Sequence, residues 1–397
     1  MTPSARTTRL APLEVASGLV LGHDRERLPR PSGTPVEALE VSILPALRRT
    51  PCLVSFSGGR DSSAVLALAA RVARREGLPL PIPATHRFPD APATDESEWQ
   101  EQVVRHLRLP DWLRLEHRDE LDVLGPFARR ALRRHGLLWP SNAHFHLPLL
   151  EAAAGGSLLT GIGGDELLGP TSWQRQLDLL RGRVRPARSD LLRLAYFVAP
   201  QPLRAWYVAS RLPVEYGWLL PDARHELARR WGRQTASEPR RRRAHVRWRG
   251  RFRYHRVGGE SLALLAADSG VQLVHPFLAP AFRAALARTP FEERTGAFRA
   301  LVGDVLPDEI LARRTKSSFD EAFFARHSRA FVLSWDGTGV DNFPVDPDAL
   351  AAEWRSGRPD ARSLLLLQAA WLARDLRDRS EQPAGGRLER APVLRPA

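Results

Sequence analysis

Residues 51–76 read PCLVSFSGGRDSSAVLALAARVARRE, and this stretch decides the fold. PCLVSF is a short apolar run with β-branched and aromatic content, as a buried strand requires. Ser57-Gly58-Gly59 follows, and the Ala- and Leu-rich segment from Ser62 to Arg75 reads as a helix. A glycine loop between a strand and a helix N-terminus offers free backbone N–H groups and a favourable dipole to an anion. The glycines let backbone approach phosphate closely, and Ser57, Ser62 and Ser63 add hydroxyl donors. Asp61 is a poor anion ligand by itself, so its presence implies a bridging cation, with Mg²⁺ the expected one. The loop lacks the G-x-x-x-x-G-K-[ST] spacing of a Walker motif.

Outward from this unit the alternation continues. Residues 78–88 and 111–117 read as strands, 95–107 and 121–135 as helices, and GSLLTG (156–161) as a strand running into Gly163-Gly164-Asp165. Strands alternating with helices predict a parallel sheet with helices on both faces. Residues 172–380 read as mostly helical, with SLLLLQAAWLARDL (363–376) the clearest apolar helix. LEVASGLVLG (13–22) is expected as a strand or hairpin. The chain divides into an N-terminal extension (1–45), a main domain (46–378) and a tail (379–397) expected to be disordered.

Composition narrows the class. The chain of 397 residues is 43% hydrophobic and 26% charged, which is ordinary globular composition. No apolar run approaches the roughly 18 residues that span a bilayer, and the N-terminus lacks the apolar core of a signal peptide. The single cysteine, Cys52, excludes an internal disulfide framework and any CxxC metal site. A cytoplasmic protein with no membrane partner is expected. Net charge is +14, yet the only lysine is Lys316, all other basic residues being arginine. In a chain where arginine replaces lysine elsewhere, a lone survivor suggests a place needing a flexible point charge, although chance survival fits composition equally well.

The segment Ser57–Ser63 resembles the SGGxDS pyrophosphate loop of the N-type ATP pyrophosphatases, which cleave ATP between its α- and β-phosphates. TGIGGDELLG (160–169) is similar to the SGxGxDE segment of the asparagine synthetase branch, which includes β-lactam synthetases and lasso peptide cyclases. LPDEILARRTKSSF (306–319) resembles that branch's LPxxIxxRxKxxF segment, and GVQLVHPFLAPAF (270–282) its GVEARVPFLD segment. The resemblance covers roughly residues 50–375. It implies an α/β fold of the adenine nucleotide alpha hydrolase type, with a five-stranded parallel sheet and a helical C-terminal part. It also implies ATP and Mg²⁺ as cofactors. Asp61 and Asp165 are then the expected metal ligands, and Ser57, Gly58, Gly59, Asp61, Ser62, Ser63, Thr85 and Gly161 the expected ATP and pyrophosphate contacts. Lys316 is expected on the reacting phosphate and acyl oxygens, with Arg314 supporting the phosphates and Glu166 a candidate for proton transfer.

Departures shape the functional expectation. Ile162 stands where asparagine synthetases place a glutamate and β-lactam synthetases a tyrosine, and an isoleucine cannot take a proton. Gln272 and Ala279 replace acids, and Pro170 replaces a glycine. Met1-Thr2 opens the chain with no nucleophilic cysteine, so glutamine hydrolysis is not expected. The reading is an ATP-dependent ligase that adenylates a substrate carboxylate for attack by an amine, in peptide or natural-product biosynthesis. Its substrates are a carboxylate and an amine, peptide- or carrier-bound among the options, with a separate precursor or amidotransferase as a candidate partner. Competing readings are a tRNA-modifying enzyme, an ammonia-dependent amidotransferase subunit, and a catalytically decayed scaffold.

His144 and His146 read as a structural pair rather than a metal site, His144 being an outside candidate for proton transfer. His86 would lie near the adenine by analogy of fold. Cys52 reads as a packed small hydrophobe. The nine arginines of 240–256 alternate with other residues over VRWRGRFRY (246–254), which on an extended segment places them on one face. A solvated face is the first reading there, an acidic peptide or carrier the second and RNA the third; nucleic acid is not an expected partner.

Overall fold

The computed structural model describes residues 10–212, 216–289, 291, 293–313 and 320–381. Five strands build the sheet: β1 (Cys52–Ser55), β2 (Ile82–Arg87), β3 (Leu113–Glu116), β4 (Ser157–Leu159) and β5 (Gln272–Val274). Their order is β3-β2-β1-β4-β5, and every pairing is parallel. The expected five-stranded parallel α/β architecture with a helical C-terminal part is therefore present. Burial follows position. Every residue of β4 is buried, whereas edge strand β3 alternates half-buried and exposed, as its sequence suggested.

The Arg60–Glu76 helix starts at Gly59, carries Asp61 in its first turn and Arg74 and Arg75 in its last, and ends at Gly77. This charge order suits the helix dipole. Residues 62–70 of this helix are buried without interruption. Its alanines leave room for the Pro35–Leu47 helix to pack closely, with Leu39, Ile43 and Leu47 in the same core. That helix begins with a capping box. Thr34 Oγ1 accepts from the Glu37 N–H at 3.2 Å, and the Glu37 carboxylate accepts from the Thr34 N–H at 2.8 Å.

Residues 13–22 are not a strand or hairpin: Pro12–Ser17 is a short helix. Pro12 presets its first turn, the Glu14 carboxylate accepts the Ala11 N–H at 2.9 Å, and Gly18 ends it with φ 64°. Tertiary burial settles the matter. Val15 and Ala16 enter a second core with Trp218, Trp354 and the Leu364–Glu381 helix, and Trp218 Nε1 donates to Ala16 O at 2.8 Å. Two segments of the expected N-terminal extension thus pack into the main body. The expected disordered tail lies, from residue 382 on, outside the described residues.

The arginine-rich stretch also differs from expectation. It forms one helix over Arg242–Arg249 and starts another at Arg253, so it is not extended and its arginines share no single face. Nor is it simply solvated. Arg242 donates to Gly169 O at 2.8 Å and stacks 3.9 Å above the Phe291 ring, Arg251 donates to Asp24 O at 2.9 Å, and Arg253 pairs with Glu14. Guanidinium groups satisfy carbonyls that packing removes from water, and this competes with the two-residue pattern. No described helix is long and apolar enough to cross a membrane.

Candidate active site

Strand order reverses between β1 and β4, the place where open parallel sheets leave a crevice at the strand C-termini. In register Val54 lies beside Leu159, so the loops that follow the two strands leave the sheet side by side. The first loop is tightly held. Gly58 has φ +83°, which a side chain would resist. Gln100 Nε2 donates to Ser57 O at 3.0 Å, and Arg313 Nη1 donates to Gly58 O at 2.9 Å while forming a buried ion pair with Glu96. Ser57 and Ser62 hydroxyls lie 3.2 Å apart, and Ser63 Oγ is buried without a hydrogen-bond partner.

The second loop presses its glycines on the first. A Cβ at Gly161 would lie 2.9 Å from Ser62 N, and one at Gly164 only 2.0 Å from Asp61 Oδ1. Gly164→Ala must therefore push Asp61 aside. Overpacking of this kind costs about 1–3 kcal/mol, so we expect a lower denaturation midpoint and at least about tenfold weaker binding of ATP with Mg²⁺. Titration by tryptophan fluorescence checks the binding, and wild-type affinity would disprove the packing argument. Arg242 supports the same loop from behind, because its bonds to Leu167 O and Gly169 O cap the short Gly164–Leu168 helix.

The two expected metal ligands converge. A single guanidinium, that of Arg294, bridges them: Nη2 lies 2.5 Å from Asp61 Oδ2, and Nη1 contacts Asp165 Oδ1. Sequence reasoning missed Arg294, one arginine among dozens with no motif to mark it. Burial pushes the Asp61 carboxyl up to about 6 against the pull of Arg294, and Asp165 adds to the rise. Asp61 Oδ1 is buried without a hydrogen-bond partner. An orphaned carboxylate oxygen next to a second carboxylate fits a hard divalent cation. Mg²⁺ is commonly held by one or two carboxylates together with substrate phosphates, so no third protein ligand is needed. Among the described residues no group of three or more His, Cys, Asp or Glu is placed to hold a metal.

Glu166 is half-buried beside this pair, and burial raises its carboxyl, with Asp165 adding to the effect. Thr85 is spent on structure, since its hydroxyl donates to Phe56 O at 2.7 Å and accepts from Trp112 Nε1 at 3.0 Å. Ile162 packs against the core behind β4, and its N–H donates to Thr160 Oγ1 at 3.3 Å. Lys316 and Arg314 lie outside the described residues. Both flanks of their segment are anchored. Arg313 holds the first loop, and on the far side Asp122 accepts the Ala325 N–H at 2.8 Å and the Ser328 N–H at 3.1 Å.

Beside the first loop, past the end of β2, a cavity of about 490 Å³ is lined by His86, Phe88, Glu96, Gln100 and Arg114 among others. His86 Nδ1 lies 3.0 Å from His117 Nε2, and burial drives His86 down to about 3 and both His146 and His275 down to about 4. His144 is buried with Nε2 donating to Leu121 O at 2.9 Å, which makes it structural. The neutral rings have a consequence for stability. Their folded pKa values lie below the unfolded 6.5, so below pH 6.5 the unfolded chain binds protons that the folded chain refuses. Stability should fall as pH drops from about 6.5 toward 4, by up to about 1.4 kcal/mol per pH unit for each ring. Urea midpoints at pH 7, 6 and 5 test this, and a flat profile would contradict the burial of these rings.

The asparagine synthase family matches residues 44–370, well over half of the chain. The protein belongs to the asparagine synthase family. That family joins carbon to nitrogen at the expense of ATP, and the match covers both loops of the crevice and the segment that contains Lys316. No curated individual protein matches the sequence.

Proposed function

We propose that this asparagine synthase family member adenylates a substrate carboxylate and transfers the acyl group to an amine. The carrying observation is the convergence of Asp61 and Asp165 on the Arg294 guanidinium at the carboxyl ends of adjacent parallel strands. The substrate carboxylate oxygen attacks the α-phosphorus of ATP, and the bond to the β-phosphate oxygen breaks, releasing pyrophosphate. The amine then attacks the acyl carbon, and the bond to AMP breaks. The N–H groups of the 57–63 loop and the exposed Ser57 hydroxyl bind the departing pyrophosphate. Bound at Asp61 and Asp165, Mg²⁺ would supply positive charge against that leaving group. The cavity at His86 and Gln100 shares its wall with the loop and is large enough for a nucleoside.

Lys316 stabilises charge on the phosphate and then on the tetrahedral oxyanion. In the sequence it follows Arg313, which holds the first loop, by three residues. Arg314 backs the phosphates. Glu166 takes the proton that the amine loses, a task Ile162 cannot perform, and burial raises its carboxyl, the direction that strengthens a general base. The amide product belongs to peptide or natural-product chemistry in this reading. Thiolation of a tRNA base is disfavoured by Cys52, which is buried and pushed up to about 11. The test is ATP labelled at the α-phosphate, incubated with Mg²⁺ and pooled carboxylate and amine substrates. Label appearing in AMP supports the reading, and label in ADP sinks it.

A further inference from the structure

We infer that Arg294 holds the metal's place between Asp61 and Asp165 and hands the pair over only when nucleotide arrives, its guanidinium then moving to the phosphates. The inference rests on the proposed function and specifies how that site is filled.

Three observations carry it. First, the two Nη atoms do not fork onto one carboxylate, the usual Arg–carboxylate arrangement. They divide between two acids from different loops, as a shared cation would. Second, Arg294 is the first residue of the Arg294–Val302 helix, where the dipole disfavours a positive charge. Helix stability therefore does not explain an arginine there. The acids opposite do, and Arg294 Nε, buried without a hydrogen-bond partner, shows that the side chain is held mainly from its tip. Third, the guanidinium does not use the pair fully, because Asp61 Oδ1 stays buried without a hydrogen-bond partner.

These facts imply an order of binding. A tethered guanidinium competes at high local concentration, so free Mg²⁺ gains little by entering alone. Nucleotide changes the balance, because its phosphate oxygens give Arg294 an alternative charged acceptor. The Phe298 ring, 5.4 Å from the guanidinium carbon, lies on the same helix and leaves the side chain an apolar surface along which to swing. Metal and nucleotide would then arrive together, and the empty crevice would stay closed to stray divalent ions.

The experiment measures Mn²⁺ binding by electron paramagnetic resonance on the full chain, with and without ATP, for wild type, Arg294→Ala, Arg294→Gln and Asp61→Asn. We expect wild type to bind Mn²⁺ at the acid pair only weakly without ATP. Arg294→Ala and Arg294→Gln should bind Mn²⁺ alone about tenfold more tightly, and Mn²⁺ with ATP about tenfold more weakly. The glutamine variant preserves bulk and polarity if the alanine variant fails to fold. Unchanged or weaker Mn²⁺ binding without ATP in a folded Arg294 variant overturns the inference. If ATP-dependent Mn²⁺ binding is nevertheless lost in Asp61→Asn, the metal reading survives that result. Indifference of Mn²⁺ binding to Asp61→Asn removes both.

Discussion

Asp61→Asn should abolish Mg²⁺-dependent formation of AMP and pyrophosphate. The side chain sits where the two loops meet, with one oxygen on Arg294 and the other buried and unpartnered. Asparagine retains the volume and one carbonyl oxygen but removes the charge that a hard cation requires. Whichever way the amide turns, its NH2 group falls either against the Arg294 guanidinium, where only an acceptor is satisfied, or at the buried oxygen's position, where a cation requires a lone pair. Asp165 is the more exposed of the pair, so it cannot replace the lost electrostatics by itself. We expect a loss of at least about 10³-fold in turnover, on the scale known for preorganised charge in active sites. The folded state should survive, because desolvation already disfavours the ionised Asp61. Rates from α-labelled ATP, with circular dichroism as a folding check, test this, and a near-normal rate would refute the assignment of Asp61.

Lys316→Ala should lower turnover by about 10²–10³-fold, the cost of removing one donor from a developing oxyanion. Lys316→Arg should also be impaired. A compact ammonium on a flexible stem can follow charge from phosphate to acyl oxygen, whereas a planar guanidinium demands a forked partner. Arginine is tolerated throughout this chain, which makes the substitution a direct test of whether position 316 requires lysine. Pre-steady-state measurement of pyrophosphate release separates the first step from amide formation, and both should slow. Full activity in Lys316→Arg would show that the solitary lysine is an accident of composition.

Much of this architecture was readable in the residues. The strand, glycine loop and helix of 51–76 could be read because local propensity, burial and helix charge all agree there. TGIGGDE could be placed opposite it because both loops follow parallel strands, although the reason for the glycines emerged only with the close approach of Gly164 to Asp61. Pro12–Ser17 escapes a local reading, since six residues carry little periodicity and their helix depends on Trp218 and the C-terminal helix far away in sequence. The Thr34-Pro35-Val36-Glu37 capping signature was present before a helix that the reading passed over. Arg294 had no legible signal at all. Its role arises from a fold that brings position 294 to positions 61 and 165, a contact no local pattern encodes.

Cys52 has a practical corollary. Its sulfur is buried at the start of the central strand and held as the unreactive thiol, so maleimides and nitroxide reagents at neutral pH should leave the native protein blank. The enzyme is thus ready for spectroscopic labelling without first being stripped of cysteines. A single cysteine introduced at an exposed position such as Trp206 or Leu333 would take one probe, and distances between two such probes could follow the molecule through turnover.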